Sequence, residues 1–214
     1  GISAGARLYG RVIGMFERRA YDGHDFSGAA GAEGQYEGLE FHDCQLEGAN
    51  FTEAVFRNCS FEKCRFSGAK FNGAQFIHCA IVNCTFQYAS LFGASFEECK
   101  MTGTVFVGSD ASALTIRGGD WSYTDLREMD FYKMDLEGIN FRGADFNRAK
   151  LEKCRIKNCN LEGAVISGAS FRDSDLRDSN IAATDILGAD FRGARIDVEQ
   201  AIDMARALGA RFEP

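Results

Sequence analysis

The chain has 214 residues, of which 45% are apolar, and its 24 Lys and Arg against 31 Asp and Glu give a net charge of −7. A chain this apolar and aromatic is predicted to fold rather than to remain disordered. Its acidity argues against general binding of nucleic-acid phosphates or anionic membranes and favours basic partners. The longest apolar stretch, residues 8–16, is short and contains Arg11, so we predict neither a membrane span nor a signal peptide and expect a cytoplasmic protein.

Residues 1–25 are predicted to form an N-terminal cap. The apolar residues between positions 8 and 16 are spaced like one face of a helix, but Gly10 and Gly14 would each weaken that helix by roughly 1 kcal/mol. We therefore expect an irregular cap.

Residues 26–196 have an apolar period of five, which fits neither the 3.6 of a helix nor the 2 of a strand. All of the 19 Phe except Phe92 and Phe212 fall in one phase, called here the centre, and this phase is apolar at every step from Tyr36 to Ile196. The position two residues before the centre is small and contains all 8 Cys, and the position two residues after it contains most of the 24 Gly. Because so short a unit cannot bury a face alone, successive coils are predicted to stack into an all-β solenoid.

The spacing of the cysteines predicts the size of one coil. They recur at 20-residue steps in two series, Cys44, Cys64 and Cys84, and Cys59, Cys79 and Cys99. Four pentapeptides per coil would give a four-sided solenoid in which like residues stack, and about eight coils at about 4.8 Å each would span about 40 Å.

One stretch departs from the repeat, and it lies at the middle of the predicted rod. Large residues or glycine enter the small phase there, and one centre is reduced to alanine: Ala111, Leu114, Gly119, Met129, Met134 and Ile139. A local widening for packing reasons and a functional site are both open interpretations.

Residues 197–214 are predicted to form a C-terminal helix and tail. Asp197 is placed as the N-cap with Gln200 three residues later, and Gly209 is placed as the C-terminal stop. The helix has an apolar stripe that must cover the last coil, form a dimer interface, or do both: Val198, Ile202, Ala205, Leu208 and Phe212.

The sequence shows no pattern typical of a catalytic, cofactor or metal site. The cysteines occupy the inward small phase without CxxC spacing, so they are interpreted as structural thiols. His24, His42 and His78 have no spacing that suggests a triad, and the glycines are explained by turns. We expect no enzyme, no cofactor and no small-molecule substrate.

The acidic excess is greatest in the C-terminal half. The carboxylates form two groups, the first being Asp120, Asp125, Glu128, Asp130, Asp135, Glu137 and Asp145, and the second Asp173, Asp175, Asp178, Asp185 and Asp190. A basic band lies between them, formed by Arg148, Lys150, Lys153, Arg155 and Lys157.

The five-residue unit, as in residues 144–148 and 189–193, resembles that of the pentapeptide repeat proteins, whose consensus is A(D/N)LXX. The resemblance covers residues 36–196 and implies a right-handed quadrilateral β-helix. Residues 103–107 and 113–116, together with the ending at 193–201, resemble the MfpA and Qnr branch of this family. The unbroken register is more similar to the loop-free MfpA type than to the Qnr proteins that have projecting loops.

That resemblance implies a function. Members of the branch are rod-shaped dimers, joined by C-terminal helices, that mimic DNA, bind DNA gyrase and protect it from fluoroquinolones or related poisons. It therefore implies DNA gyrase or topoisomerase IV as the protein partner, a homodimer through the C-terminal helix, and the carboxylates named above as the gyrase-facing surface. The alternative is a non-enzymatic scaffold that binds another protein. A contiguous acidic face would favour mimicry, and a patchwork would favour the scaffold.

Overall fold

The computed structural model describes residues 7–8, 11–12, 15–211 and 213, and over these residues the chain is a parallel β-solenoid followed by one helix. The strands are β1 (Arg7–Leu8), β2 (Arg11–Val12), β3 (Ala20–Asp22), β4 (Gln35–Glu37), β5 (Glu40–His42), β6 (Val55–Arg57), β7 (Ser60–Glu62), β8 (Gln75–Ile77), β9 (Ala80–Val82), β10 (Ser95–Glu97) and β11 (Thr115–Arg117). A short 3-10 helix (Ile186–Gly188) and α1 (Val198–Ala207) follow. β1 and β2 pair antiparallel, and the sheets built from β3 onward are parallel.

The parallel pairings advance by 20 residues, which confirms a coil of four pentapeptides. β3 pairs with β5 so that Tyr21 lies opposite Phe41, and a column of bridges runs at the same step from Asp25 to Val165. We number the four faces by their centres: Tyr21 begins face 1, Phe26 face 2, Gly31 face 3 and Tyr36 face 4, and every twentieth residue follows on the same face. The three-residue strands lie on faces 1 and 4, whereas faces 2 and 3 are joined by single bridges. Because β3 belongs to face 1, the ladder extends N-terminally to Ala20.

Tight turns form the corners where faces 2 and 3 end. The N–H of Ala69 donates to the carbonyl of Phe66 at 3.0 Å, and Gly68 between them has φ of 66°. A type II turn requires a positive φ at this third position, which glycine adopts without steric cost. The five-residue period therefore arises from an extended segment followed by one such turn.

Aromatic ladders fill the interior. Phe56, Phe76 and Phe96 are buried on face 4, and their rings stack with centroids 5.0 and 4.8 Å apart and interplanar angles of 6° and 5°. Alanine and cysteine pack beside them at the corners. The predicted stacking of like residues is confirmed.

The small corner residues also satisfy backbone polar groups. The thiol of Cys59 lies 3.4 Å from the carbonyl oxygen of Arg57, and the hydroxyl of Thr104, in the same phase, donates to the carbonyl of Ile81 at 2.7 Å. All eight cysteines are buried free thiols. They therefore combine compact packing with a weak additional hydrogen bond, since the carbonyl of Arg57 already accepts from the N–H of Gly38 at 3.0 Å.

The irregular stretch changes the packing at mid-rod without breaking the coil. Ala111 leaves face 3 without a large centre, while Leu114 and Met129, in the normally small phase, are buried in the core. Met134 is partly buried against the same core. The side-chain volume that is missing at Ala111 is replaced by Leu114 and Met129 from the normally small phase. A depression remains at the surface.

Candidate functional surfaces

The helix at the C-terminal end begins with the predicted capping box. The N–H of Gln200 donates to Asp197 Oδ1 at 2.9 Å, and the N–H of Asp197 donates to Gln200 Oε1 at 3.0 Å. These two bonds satisfy donors that a helix N-terminus otherwise leaves free. They fix α1 directly after the last pentapeptide.

Gln200 also closes the last coil, a role that its spacing did not predict. Its side chain is only 2% exposed, and its Nε2 donates to the carbonyls of Leu176 (2.5 Å) and Ser179 (2.8 Å). Met204, one turn later, packs against the core. Gln200 and Met204 are four residues apart and therefore lie on the same face of the helix. This spacing is the sequence signal that could have identified the cap.

The predicted apolar stripe is largely directed away from the coil. Val198 is 76% and Leu208 74% exposed, and Ile202 and Ala205 are half-buried. Phe212 lies outside the described residues. Covering of the coil is therefore achieved mainly by Gln200 and Met204, and much of the stripe is left accessible.

An apolar cleft separates α1 from the last coils. It has a volume of about 700 Å³ and is lined by Ile186, Leu187, Phe191, Met204 and Leu208, among others. Leu187 is 59% exposed. Exposed leucines at the rim of an apolar cleft are typical of a protein interface.

The structure places the predicted acidic residues on all four faces. Asp120 lies on face 1; Asp125, Glu128, Asp145 and Asp185 on face 2 and its corner; Asp130, Asp173 and Asp190 on face 3; and Asp135, Glu137, Asp175 and Asp178 on face 4. They form a patchwork around the rod, and no single face carries both predicted groups in full.

Many of these carboxylates are neutralised by neighbouring cations. Arg155 lies 3.6 Å from Asp135 and 2.6 Å from Glu137 on face 4, and Arg177 lies 2.7 Å from Asp175. The hydrogen bonds from Arg177 hold the pKa of Asp175 at about 2. Three further pairs are Glu128–Arg148, Asp178–Lys157 and Asp190–Arg192. Within the described part of the chain, ion pairs within 4 Å are absent at Asp120, Asp130, Asp173 and Asp185.

Among the predicted carboxylates, only one pair occupies equivalent positions in adjacent coils, and this pair lies on face 2. Asp125 and Asp145 are bridge partners in adjacent coils, and both form ion pairs with Arg127, at 2.7 and 3.8 Å. Face 3, by contrast, carries Lys133 and Lys150 in the same part of the rod. Face 4 carries as many of the predicted carboxylates as face 2, so what distinguishes face 2 is that two of its carboxylates are stacked directly.

The remaining candidate groups have structural surroundings. Burial raises the pKa of Cys154 to about 12 and that of Cys159 to about 11, so these thiols are poor nucleophiles at neutral pH. A hydrogen bond to Asp22 raises the pKa of His42 at the exposed edge of face 1. Among the described residues, no three His, Cys, Asp or Glu side chains come together as a metal site.

The comparisons with known proteins agree with this architecture. A family model described as "Pentapeptide repeats" matches with eight copies, over residues 40–76, 49–87, 112–147, 122–158 and 159–196, which is more than half of the chain. A comparison with curated protein sequences finds no match. In the part of the chain that the structure describes, no helix is long and apolar enough to cross a membrane.

Two similar solved structures are of QnrB1, a plasmid-mediated fluoroquinolone resistance protein. A trypsin-treated single-substitution form is 22% identical, with a TM-score of 0.63 over 91% of this chain and 99% of that chain. The full-length form is also 22% identical, with a TM-score of 0.56 over 89% of this chain and 100% of that chain. At this identity the likeness is one of fold.

Proposed function

Since this chain belongs to the pentapeptide repeat family, we propose that it acts by binding a type II topoisomerase in place of DNA and so protects that enzyme from fluoroquinolones or related poisons. The observation that carries the proposal is the match of its solenoid to nearly the whole length of QnrB1, a fluoroquinolone resistance protein. The partner, DNA gyrase or topoisomerase IV, comes from the family resemblance. Such a partner requires that the protein work in the bacterial cytoplasm.

The charge distribution limits how DNA could be mimicked. B-DNA carries one negative charge per about 1.7 Å of axis, far more than a protein with a net charge of −7 can offer over a rod of about 40 Å. Overall charge density therefore does not support the proposal. What supports it is the regular solenoid together with the stacked carboxylates of face 2, and we propose face 2, with Asp125 and Asp145, as the side that meets the enzyme.

The assembly proposed for this function is a dimer through the C-terminal helix. The exposed Val198 and Leu208 and the cleft lined by Leu187 offer an apolar surface next to the last coil. Joining two rods at this surface would double the length available to an elongated DNA site. Replacement of Ile202 and Leu208 with aspartate is expected to yield monomers, and an unchanged sedimentation profile would count against the helix as the interface.

The experiment that tests the function is a supercoiling and cleavage assay with purified gyrase and a fluoroquinolone. The protein is expected to inhibit supercoiling or to rescue it from the drug at micromolar concentration. The double change Asp125→Asn/Asp145→Asn is expected to weaken this effect several-fold. Asp175→Asn is the matched control, since Asp175 makes the same 2.7 Å contact with the arginine two residues later but lies on face 4. If the wild-type protein neither inhibits supercoiling nor rescues it from the drug, the proposal is refuted.

A second candidate function is that of a non-enzymatic scaffold for another protein. The observation that favours it is the patchwork of carboxylates, many of them paired with Arg or Lys on the same face. The absence of gyrase binding by the wild-type protein would support this alternative.

A further inference from the structure

A groove opens at mid-rod on face 3 and reaches the corner between faces 2 and 3. It has a volume of about 590 Å³, and its floor is formed by residues 108–113. Ala111 occupies a centre position there, whereas every other centre from Tyr36 to Ile196 has a large side chain. The departure from the repeat therefore changes the surface, because it coincides with a concave site on the side of the rod.

Carboxylates are the charged groups that line this groove. Asp110, Glu128 and Asp130 all line it, and its lining includes neither Lys nor Arg. Asp110 and Asp130 form no ion pair within the described coils, and Glu128 reaches Arg148 only at 4.0 Å. Carboxylates that line a groove without a nearby strong ion pair are complementary to a cationic ligand.

The groove carboxylates are also held in place by the backbone. Asp110 Oδ1 accepts from the N–H of Ser112 at 2.9 Å, and Asp130 Oδ1 accepts from the N–H of Tyr132 at 3.0 Å. The hydrogen bonds with Ser112 lower the pKa of Asp110, so it is charged at neutral pH. In each carboxylate one oxygen is fixed and the second can accept from a ligand, which reduces the ordering cost of binding.

Two tyrosines supply the apolar walls. Tyr88 is 70% and Tyr132 49% exposed. The Tyr88 ring lies over Gly108 of the next coil so closely that a Cβ there would come within 2.7 Å of the ring carbons. Lys133 Nζ and Lys153 Nζ lie 5.1 and 6.0 Å from the centroid of the Tyr132 ring, so this ring attracts cations. Aromatic faces beside carboxylates attract guanidinium and ammonium groups.

We propose that this groove binds a basic, extended segment of a partner protein, with an arginine side chain held by Asp110 and Asp130 against Tyr88 and Tyr132. Arginine fits better than lysine because its planar group both stacks on a ring and donates to a carboxylate in two directions. The proposal goes beyond the topoisomerase function, since the groove includes neither Asp125 nor Asp145 and would take an arginine-containing segment of a partner.

The test is fluorescence anisotropy with a labelled seven-residue peptide of alternating arginine and leucine. We expect the full-length protein to bind it more tightly than it binds the lysine and glutamate counterparts, and less tightly as salt is raised. Asp110→Asn/Asp130→Asn keeps the acceptors of both backbone bonds and is expected to weaken binding about tenfold, as loss of two charge-assisted contacts should. Tyr88→Ala should weaken it about threefold or more.

Matched controls separate recognition from structure. Asp25 accepts from the N–H of Ser27 at 2.9 Å, the same local bond that Asp110 makes, and Tyr123 is 58% exposed on another corner. Asp25→Asn and Tyr123→Ala should leave peptide affinity unchanged. The inference is overturned if the wild-type protein does not bind the arginine peptide at millimolar concentration, or if Asp25→Asn costs as much as the groove variant.

Tighter binding of the glutamate peptide, lost in Lys133→Ala/Lys153→Ala, would also overturn the inference, because it would identify the lysines beside Tyr132 as an acidic-partner site. Gyrase protection is measured separately from peptide binding. If the protein protects gyrase but does not bind the peptide, only the proposal for the groove is refuted. If it binds the peptide but does not protect gyrase, only the topoisomerase proposal is refuted.

Discussion

Removal of one ring from the face 4 ladder should be strongly destabilising. Phe76 is fully buried and stacks between Phe56 at 5.0 Å and Phe96 at 4.8 Å. Phe76→Ala loses roughly 2–3 kcal/mol of apolar burial and about 0.5–1.5 kcal/mol for each of two ring contacts. A cavity remains because the coils above and below are fixed by their ladders, so we expect a loss of about 4 kcal/mol in the free energy of unfolding, within the range for buried Phe to Ala.

The assay is guanidinium denaturation followed by circular dichroism and by the fluorescence of Trp121, the single tryptophan. Trp121 is 1% exposed and lies 5.4 Å from Phe96, so it reports on the coils next to the altered one. Coils of a solenoid contact mainly their neighbours, so both probes are needed to show whether the rod unfolds as a unit. The control is Phe92→Ala, since Phe92 is 51% exposed in an outward phase and should cost less than about 1 kcal/mol. Equal losses for the two variants would refute the assignment of inward and outward phases.

Three further predictions concern the cap, the corner thiols and the surface pairs. Gln200→Leu should lower the thermal midpoint, because two carbonyls of the last coil lose their donors; a midpoint equal to that of wild type would contradict this role of Gln200. Burial raises the folded pKa of Cys159 to about 11, so its contribution to stability should be full below the ordinary thiol pKa of about 8.5 and fall as pH rises towards 11; Cys159→Ser should make this fall smaller, while Cys154, with its raised pKa of about 12, still contributes to it. Arg177→Gln should raise the pKa of Asp175 from about 2 towards its usual range, and a carboxyl titration by NMR measures the change; an unmoved value would show that Arg177 does not cause the shift.

Much of the fold is predictable from the sequence because every coil repeats the same requirement. A centre such as Phe76 must be inward and a turn position such as Gly68 must adopt positive φ, so the placement of Phe and Gly reveals the period. The 20-residue step of the cysteines predicts the coil size. The capping box of Asp197 and Gln200 is equally local and is predicted from spacing.

The surfaces are harder to predict, since they depend on residues far apart in the chain. Once a coil is known to have 20 residues, counting assigns Asp120 to face 1 and Asp135 to face 4. The distribution of the carboxylates over the four faces can therefore be predicted from the sequence. The ion pairs cannot be predicted in this way, because the contacts of Arg155 with both Asp135 and Glu137 depend on the side-chain rotamers that neighbouring coils allow.

The sequence by itself determined the repeat, the coil and the inward phases, because backbone hydrogen bonding and burial impose the same rule at every fifth residue. Only the tertiary structure decided that Gln200 turns inward to close the last coil and that Val198 remains outside. It also decided that Ala111 leaves a groove between Tyr88 and Tyr132. These outcomes depend on which side chains contact each other across stacked coils. The five-residue period of the sequence does not contain the distances between those side chains.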